Sequence, residues 1–276
     1  MYNQKNYSLE EEIDINKNHP VSVINSLLEI SNKNFICGTN LGDIIIFAKV
    51  NELEENDEDF EYSYKEIKCI PLKEEIYKID KFSPNFICVL TKNELKFYDD
   101  NFYEKNSIKL AQLYTNFLQT SYDHIALLSY NHLSIYKIGE KKIEINYRYD
   151  NIVSNHFKNI LVSTNKYIIV GGRKFLYLLN YKTNKIISKK KIISEINYIY
   201  KINDEFFLAS TDDGIILNIS IDEKDKTFIK DKKFINGDIN LLFLKNFNLF
   251  LITSEENTQI WTTQSKEKED KSFVIF

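Results

Sequence analysis

Phe206-Phe207-Leu208-Ala209-Ser210-Thr211-Asp212-Asp213-Gly214-Ile215-Ile216-Leu217-Asn218 is two short apolar runs divided by a polar, glycine-containing turn. Each run is too short to make a stable helix, and the turn residues between them are those of a β-hairpin. Five other stretches follow the same plan. FICG (35–38) precedes IIIF (44–47), FICV (86–89) precedes LKFY (95–98), and IALL (125–128) precedes LSIY (133–136). YIIV (167–170) precedes FLYL (175–178), and LFLI (249–252) precedes QIW (259–261).

The last residues of the second runs are Phe47, Tyr98, Tyr136, Leu178, Asn218 and Trp261. They are 51, 38, 42, 40 and 43 residues apart, close to the ~40–45 residues of one propeller blade. Ten residues before each anchor stand Cys37, Cys88, Ala126, Ile168, Leu208 and Leu251, all small or apolar. The constant offset predicts a hairpin of fixed length in every copy, with turns such as Thr39-Asn40-Leu41-Gly42-Asp43 and Gly171-Gly172-Arg173-Lys174. The pair Gly171-Gly172 is expected to supply a positive φ in its turn.

An alternating segment precedes the hairpin, as in Val23–Leu28, Ile196–Tyr200 and Ile239–Leu244. A more polar one follows it: Ile67–Leu72, Ile108–Tyr114, Ile143–Tyr149, Ile186–Ile193 and Phe228–Ile235. Each copy therefore has four strands whose polarity rises from first to last, as expected when the first lines a central channel and the fourth lies at the rim. The predicted fold is all-β: a β-propeller of six four-stranded blades forming one domain over residues 1–276.

Some residues carry a resemblance to a known family. Ala209-Ser210-Thr211-Asp212-Asp213-Gly214 resembles the Ser-x-Asp-Gly turn of WD repeats, and Phe82-Ser83-Pro84-Asn85 resembles the turn after their first strand. Tyr98-Asp99 and Trp261 resemble the Trp-Asp pair, and His19, 28 residues before Phe47, lies near the position of the family's Gly-His. The resemblance covers residues 19 to 276. Only one anchor is Trp and only one is followed by Asp. It implies a propeller that works as a protein-interaction scaffold, with no cofactor, metal or catalytic residue.

Composition agrees with a large aromatic and β-branched core: 43% of residues are hydrophobic, 14% are aromatic, and Met and Trp occur once each. The net charge is −4, yet residues 52–61 (ELEENDEDFE) hold seven acids, so the remainder of the chain sums to +3. That segment is read as an acidic loop, solvated or docking a basic partner, and a near-neutral remainder predicts no direct nucleic-acid binding. Cys37, Cys69 and Cys88 lie in apolar strand patterns without a C-x-x-C spacing, which predicts buried thiols in a reducing compartment, cytoplasmic or nuclear. No apolar run approaches the length of a membrane span, so no membrane insertion is expected.

Candidate chemistry is sparse. Ser210–Gly214 also fits the Asp-box of sialidase-like propellers, but it stands between the second and third strands rather than the third and fourth. His124 and His132 fall at opposite ends of one hairpin, on the order of 20 Å apart at ~3.3 Å per residue, and cannot share a metal. His19 and His156 have no Glu or Asp at ligand spacing in the sequence and read as turn or strand residues. No Walker-type loop, G-x-S-x-G or H-E-x-x-H is present. Lys189-Lys190-Lys191 reads as a guarded sheet edge.

Two functional classes follow. The first is a non-enzymatic protein-interaction scaffold, a subunit of a larger complex, that binds through the face carrying Asn40, Lys92, His132, Arg173, Asp212 and Glu255. The alternative is a propeller-type enzyme, a hydrolase or lyase, with Asp43, Glu94, Arg173, Asp213 and Glu255 at the channel mouth. The chain can also be an N-terminal propeller cut from a longer protein. For the outer strand of the sixth copy, residues 7–15 alternate cleanly and are expected to close the last blade. Residues 264–276 read as a charged linker and an apolar tail, Phe273-Val274-Ile275-Phe276.

Overall fold

The computed structural model describes residues 18–20, 22–31, 34–52, 61–83, 85–139, 143–150, 152, 161–221, 227–234, 240–244, 249–253, 258–262 and 274–275. Among them the regular structure is β, and no helix long and apolar enough to cross a membrane is present. The strands form six four-stranded antiparallel sheets, each in sequence order, one for every repeat found in the sequence. The chain divides into two compact units, Met1–Leu113 with two of the sheets and Tyr114–Phe276 with four.

In the first unit, β1 (Ile24–Ser31), β2 (Asn34–Thr39), β3 (Asp43–Glu52) and β4 (Glu61–Pro71) make one sheet. The other is β5 (Ile76–Phe82), β6 (Phe86–Thr91), β7 (Glu94–Asp99) and β8 (Glu104–Lys109). Strand alternation splits the apolar run of β3 between two faces. Ile44 and Ile46 pack with Ile36 of β2 and with Ile76, Ile79, Ile87 and Val89 of the second sheet. Ile45 and Phe47 pack on the opposite face with Cys37. A strand buried on both faces must be apolar throughout, which is why IIIF does not alternate. The two sheets are also pinned through backbone: Ile79 donates its N–H to Ser26 Oγ at 2.8 Å.

The second unit has β9 (Asn116–Ser121), β10 (His124–Leu128), β11 (His132–Ile138) and β12 (Ile143–Asp150) as one sheet, and β13 (Leu161–Ser163), β14 (Tyr167–Gly171), β15 (Phe175–Asn180) and β16 (Lys185–Lys191) as the next. Then come β17 (Ile196–Lys201), β18 (Phe206–Thr211), β19 (Ile215–Ile221) and β20 (Thr227–Phe234), followed by β21 (Asn240–Leu244), β22 (Leu249–Thr253), β23 (Thr258–Thr262) and β24 (Val274–Ile275). One apolar core runs from Ala126 and Leu128 through Ile168–Val170 and Leu176–Leu179 to Phe207, Leu217 and Ile219. The lysine-rich strand β16 is largely exposed, as the edge reading of Lys189–Lys191 expects.

A backbone irregularity recurs. In five sheets the pairing of the third and fourth strands shifts register beside the anchor, at Ile46/Phe47, Phe97/Tyr98, Ile135/Tyr136, Leu178/Leu179 and Asn218/Ile219. The extra residue sits on the fourth strand: Ile67, Lys105, Asn146, Ile187 and Lys230 respectively. Such a bulge reverses the sense of alternation beyond it and raises the local twist.

Several expectations are corrected. The hairpins are not of fixed length: Phe47 faces Phe35, Tyr98 faces Ile87, Leu178 faces Ile169 and Asn218 faces Leu208. The partners are therefore nine to twelve residues from their anchors, so the pairing register about the anchor is not constant. The second outer strand runs over Glu104–Lys109 rather than Ile108–Tyr114, because the Asp99 carboxylate accepts the N–H groups of Asn101 and Tyr103 and turns the chain early. Positive φ among the described glycines belongs to Gly42 and Gly214, not to Gly171. The place beside β23 assigned to residues 7–15 is taken by β24, with Thr262 opposite Val274 and Trp261 opposite Ile275. Two paired residues suffice there, so the short apolar tail meets the need. Residues 7–15 and most of the acidic segment 52–61 lie outside the described residues.

Candidate functional site

Four of the turns between second and third strands share one construction, while the β14–β15 turn, residues 171–174, has no hydroxyl and closes through Gly172 N–H on the Phe175 carbonyl. In those four a hydroxyl ends the second strand and bonds the backbone that opens the third. Thr39 Oγ1 accepts the N–H of Asp43 at 2.9 Å, Thr91 Oγ1 that of Glu94 at 3.1 Å, and Thr211 Oγ1 that of Ile215 at 3.0 Å. Ser129 Oγ donates to the carbonyl of His132 at 3.2 Å. These turns are closed by their own side chains together with backbone bonds such as Gly42 N–H to the Thr39 carbonyl.

In two of the turns a second bond ties the turn to the segment entering its sheet. In the first unit Asn40 donates its N–H to the Val23 carbonyl, and Val23 donates back to Asn40 Oδ1 at 2.8 Å. In the second unit Asp212 and Glu195 repeat this exchange, with Glu195 N–H on Asp212 Oδ1 at 3.0 Å. Gly42, at φ +92°, admits no side chain, because a Cβ would lie 2.5 Å from the Glu74 carbonyl oxygen. On this locked backbone the first unit exposes Val23 and Leu41, and the second exposes Tyr130 and Ile193. The Arg173 guanidinium stands over the Tyr130 ring at 5.4 Å and lies 3.8 Å from the Glu195 carboxylate. Ile192 N–H donates to the Lys174 carbonyl and so ties the end of the fourth strand to the turn that carries Arg173.

Two of the acids expected at the channel mouth of an enzyme, Glu94 and Asp213, have local partners. In the first unit Glu94 binds Lys96 Nζ at 2.9 Å and Ser107 Oγ at 3.1 Å, and the lysine hydrogen bond holds its carboxyl below the usual range. In the second unit Asp213 accepts from Ser194 and Thr211. Glu255 is outside the described residues. His132 is buried, with Ser129 Oγ and Asn131 Oδ1 at 2.6 and 2.8 Å from Nδ1. Burial, helped by the charge of Arg148, pushes its pKa down. His124 pairs with its neighbour Asp123 at 2.6 Å, at the other end of the β10–β11 hairpin, as expected. His156 lies outside the described residues.

His19 departs from the sequence reading, which found no acid near it. Its Nε2 lies 3.0 Å from Glu66 Oε2, and its Nδ1 is 3.8 Å from Asp43 Oδ2. Cys69 completes the group: a ligand-type atom from each of His19, Glu66 and Cys69 lies within 4.8 Å of the other two. The bulge at Ile67 makes this possible. Glu66 and Cys69 are an odd number apart and would face opposite sides of a regular strand, but here Glu66 stands opposite Phe47 and Cys69 opposite Ile45, on one face. Cys69 is thus only half-buried, unlike the buried Cys37 and Cys88, and all three are free thiols. Burial, and then the charges of Asp43 and Glu66, push its pKa up.

No family model matches the chain, and no curated protein matches it in sequence. Among solved structures it is similar to the crystal structure of the Cps50 (Swd1) β-propeller domain from Myceliophteria thermophila, with a TM-score of 0.65 and 12% identity over 87% of this chain and 84% of that one. At that identity the likeness concerns the fold alone, and the fold is an all-β β-propeller with four-stranded blades.

Proposed function

We propose that the chain is a non-enzymatic protein-interaction scaffold, a WD-like propeller serving as a subunit of a larger complex. It binds one or more proteins through the ends of its sheets that carry the turns between second and third strands. The observation that carries this reading is the pair Tyr130 and Arg173. An aromatic ring and a guanidinium standing over it are presented to solvent on backbone fixed by turn hydrogen bonds. Tyr and Arg are favoured anchors at the centres of protein interfaces, and a surface that is ordered before binding loses less entropy on association. The engagement of Glu94 and Asp213 by local partners also favours a scaffold over a hydrolase or lyase. The reading includes protein partners rather than nucleic acid or membrane, and a cytoplasmic or nuclear location in keeping with three free thiols.

The test is quantitative co-purification of the tagged full chain from native extract, wild type against Tyr130→Ala combined with Arg173→Glu. A stoichiometric protein complex that the double variant loses, at an unchanged melting temperature, supports the reading. A chain that runs as an isolated monomer, or a complex that the substitutions leave intact, overturns it.

A further inference from the structure

The first and second sheets of the Met1–Leu113 unit can be superposed residue by residue around their bulges. Asp43, Ile45 and Phe47 of β3 correspond to Glu94, Lys96 and Tyr98 of β7. Across the pair, Glu66 and Cys69 of β4 correspond to Glu104 and Ser107 of β8. Both sheets therefore build the same cradle: one carboxylate at the start of the third strand, another opposite the anchor, and a small sulfur- or oxygen-bearing side chain three residues beyond it.

In the second sheet that cradle contains its own cation. Lys96 Nζ sits 2.9 Å from Glu94 and 3.1 Å from Glu104, while Ser107 Oγ donates to Glu94. In the first sheet the position of Lys96 is held by Ile45, fully buried and without charge. The acids remain, the serine becomes a cysteine, and an imidazole enters from outside the sheet at His19. Exchanging an ammonium for isoleucine while keeping both carboxylates leaves negative charge that a cation from solution would neutralise.

We propose that His19, Glu66 and Cys69 bind a divalent cation of the zinc type, with Asp43 as the outer partner that orients His19. Thiolate, imidazole and carboxylate are the donors zinc takes, and calcium or magnesium would not choose a set containing sulfur. The 3.0 Å between His19 Nε2 and Glu66 Oε2 is close to one edge of a tetrahedral site. With Nε2 on the metal, the opposite ring nitrogen lies 3.8 Å from the Asp43 carboxylate, an ion-pair separation from which a short approach would complete the carboxylate–histidine–metal relay found behind many zinc ligands. Asn18 Nδ2, 3.4 Å from Glu66 Oε2, supports the second ligand in the same way. Three protein ligands leave a fourth position for water. The bond to Cys69 forms as its thiol proton leaves to solvent, so affinity falls as pH is lowered.

The experiment uses the full chain, stripped with a chelator and titrated with Zn²⁺ against a chromophoric competitor, and separately with Co²⁺ followed by absorption. One equivalent per chain and a thiolate-to-cobalt charge-transfer band are expected. The band is lost in Cys69→Ser and kept in Cys37→Ala and Cys88→Ala. Asp43→Asn weakens zinc about tenfold or more, as loss of an outer-shell partner does. Absence of a stoichiometric metal, or binding that survives both His19→Ala and Cys69→Ser, overturns the proposal and leaves an ordinary histidine–carboxylate pair. Should Cys69→Ser fail to fold, the wild-type cobalt spectrum decides: a charge-transfer band supports the site, and its absence refutes it.

Discussion

A methyl group built on Gly171 would lie 2.8 Å from Cγ2 of Ile196, so the end of β14 meets β17 with no room for a side chain. Gly38 stands in the same relation to Ile76, at 2.7 Å, at the end of β2. Overpacking of this kind costs about 1–3 kcal/mol. Gly171→Ala and Gly38→Ala are each expected to lower the denaturation midpoint by an amount in that range, read from urea titrations of the purified variants. A neutral result would mean that these sheets are free to move apart.

Tyr149 joins two sheets of the Tyr114–Phe276 unit by donating its hydroxyl to the Asn180 carbonyl at 3.2 Å, with both residues buried. Phenylalanine keeps the ring and removes the bond. Tyr149→Phe should therefore cost about 1 kcal/mol, a fall of roughly 2–4 °C in melting temperature for a chain of this size. Calorimetry that finds no fall would place the Asn180 carbonyl in contact with water.

Alkaline pH offers a separate handle. Burial, and next the Glu104 carboxylate, raise the Tyr98 hydroxyl from its ordinary 10 to about 12. A folded pKa above the unfolded one means that folding favours the protonated form. The contribution is thus complete below pH 10 and is lost as the pH rises through about 12. Denaturation midpoints should fall over that interval, and less steeply in Tyr98→Phe. An unchanged slope in the variant would assign the alkaline loss to other buried tyrosines.

The outer place of the last sheet gives a fourth test. Deleting residues 273–276 removes the partner of Trp261 and Thr262 and leaves the outer edge of β23 open to water. Amide exchange along β23 should quicken in the truncated chain while exchange along β18 stays slow. Equal exchange in both forms would remove β24 from the sheet.

The repeat was legible in the sequence because second and third strands are buried on both faces, and runs such as FICV and YIIV are conspicuous. The same property hid the pairing register. Ile168 and Ile169 are both fully buried, so counting ten back from Leu178 meets an apolar residue whether or not it is the true partner. The His19 group was illegible for two reasons. Glu66 is 47 residues from His19, beyond any local spacing. The bulge at Ile67 also cancels the alternation from which one would place Glu66 and Cys69 on opposite faces. The closing strand is illegible because a pairing of two residues, Val274 and Ile275 on Thr262 and Trp261, needs neither the alternation nor the length by which a strand is recognised.

The bulge beside the anchor has a consequence for what the chain can tolerate. It recurs in five sheets, while the residue that forms it is Ile67, Lys105, Asn146, Ile187 or Lys230 in turn. No shared side chain can be holding it in place. An irregularity kept at one position by such different residues belongs to the backbone pairing of the third and fourth strands, where it supplies added twist. The identity of the bulged residue is therefore open to exchange, whereas removing that residue would turn the strand beyond it over and put its two faces in each other's place.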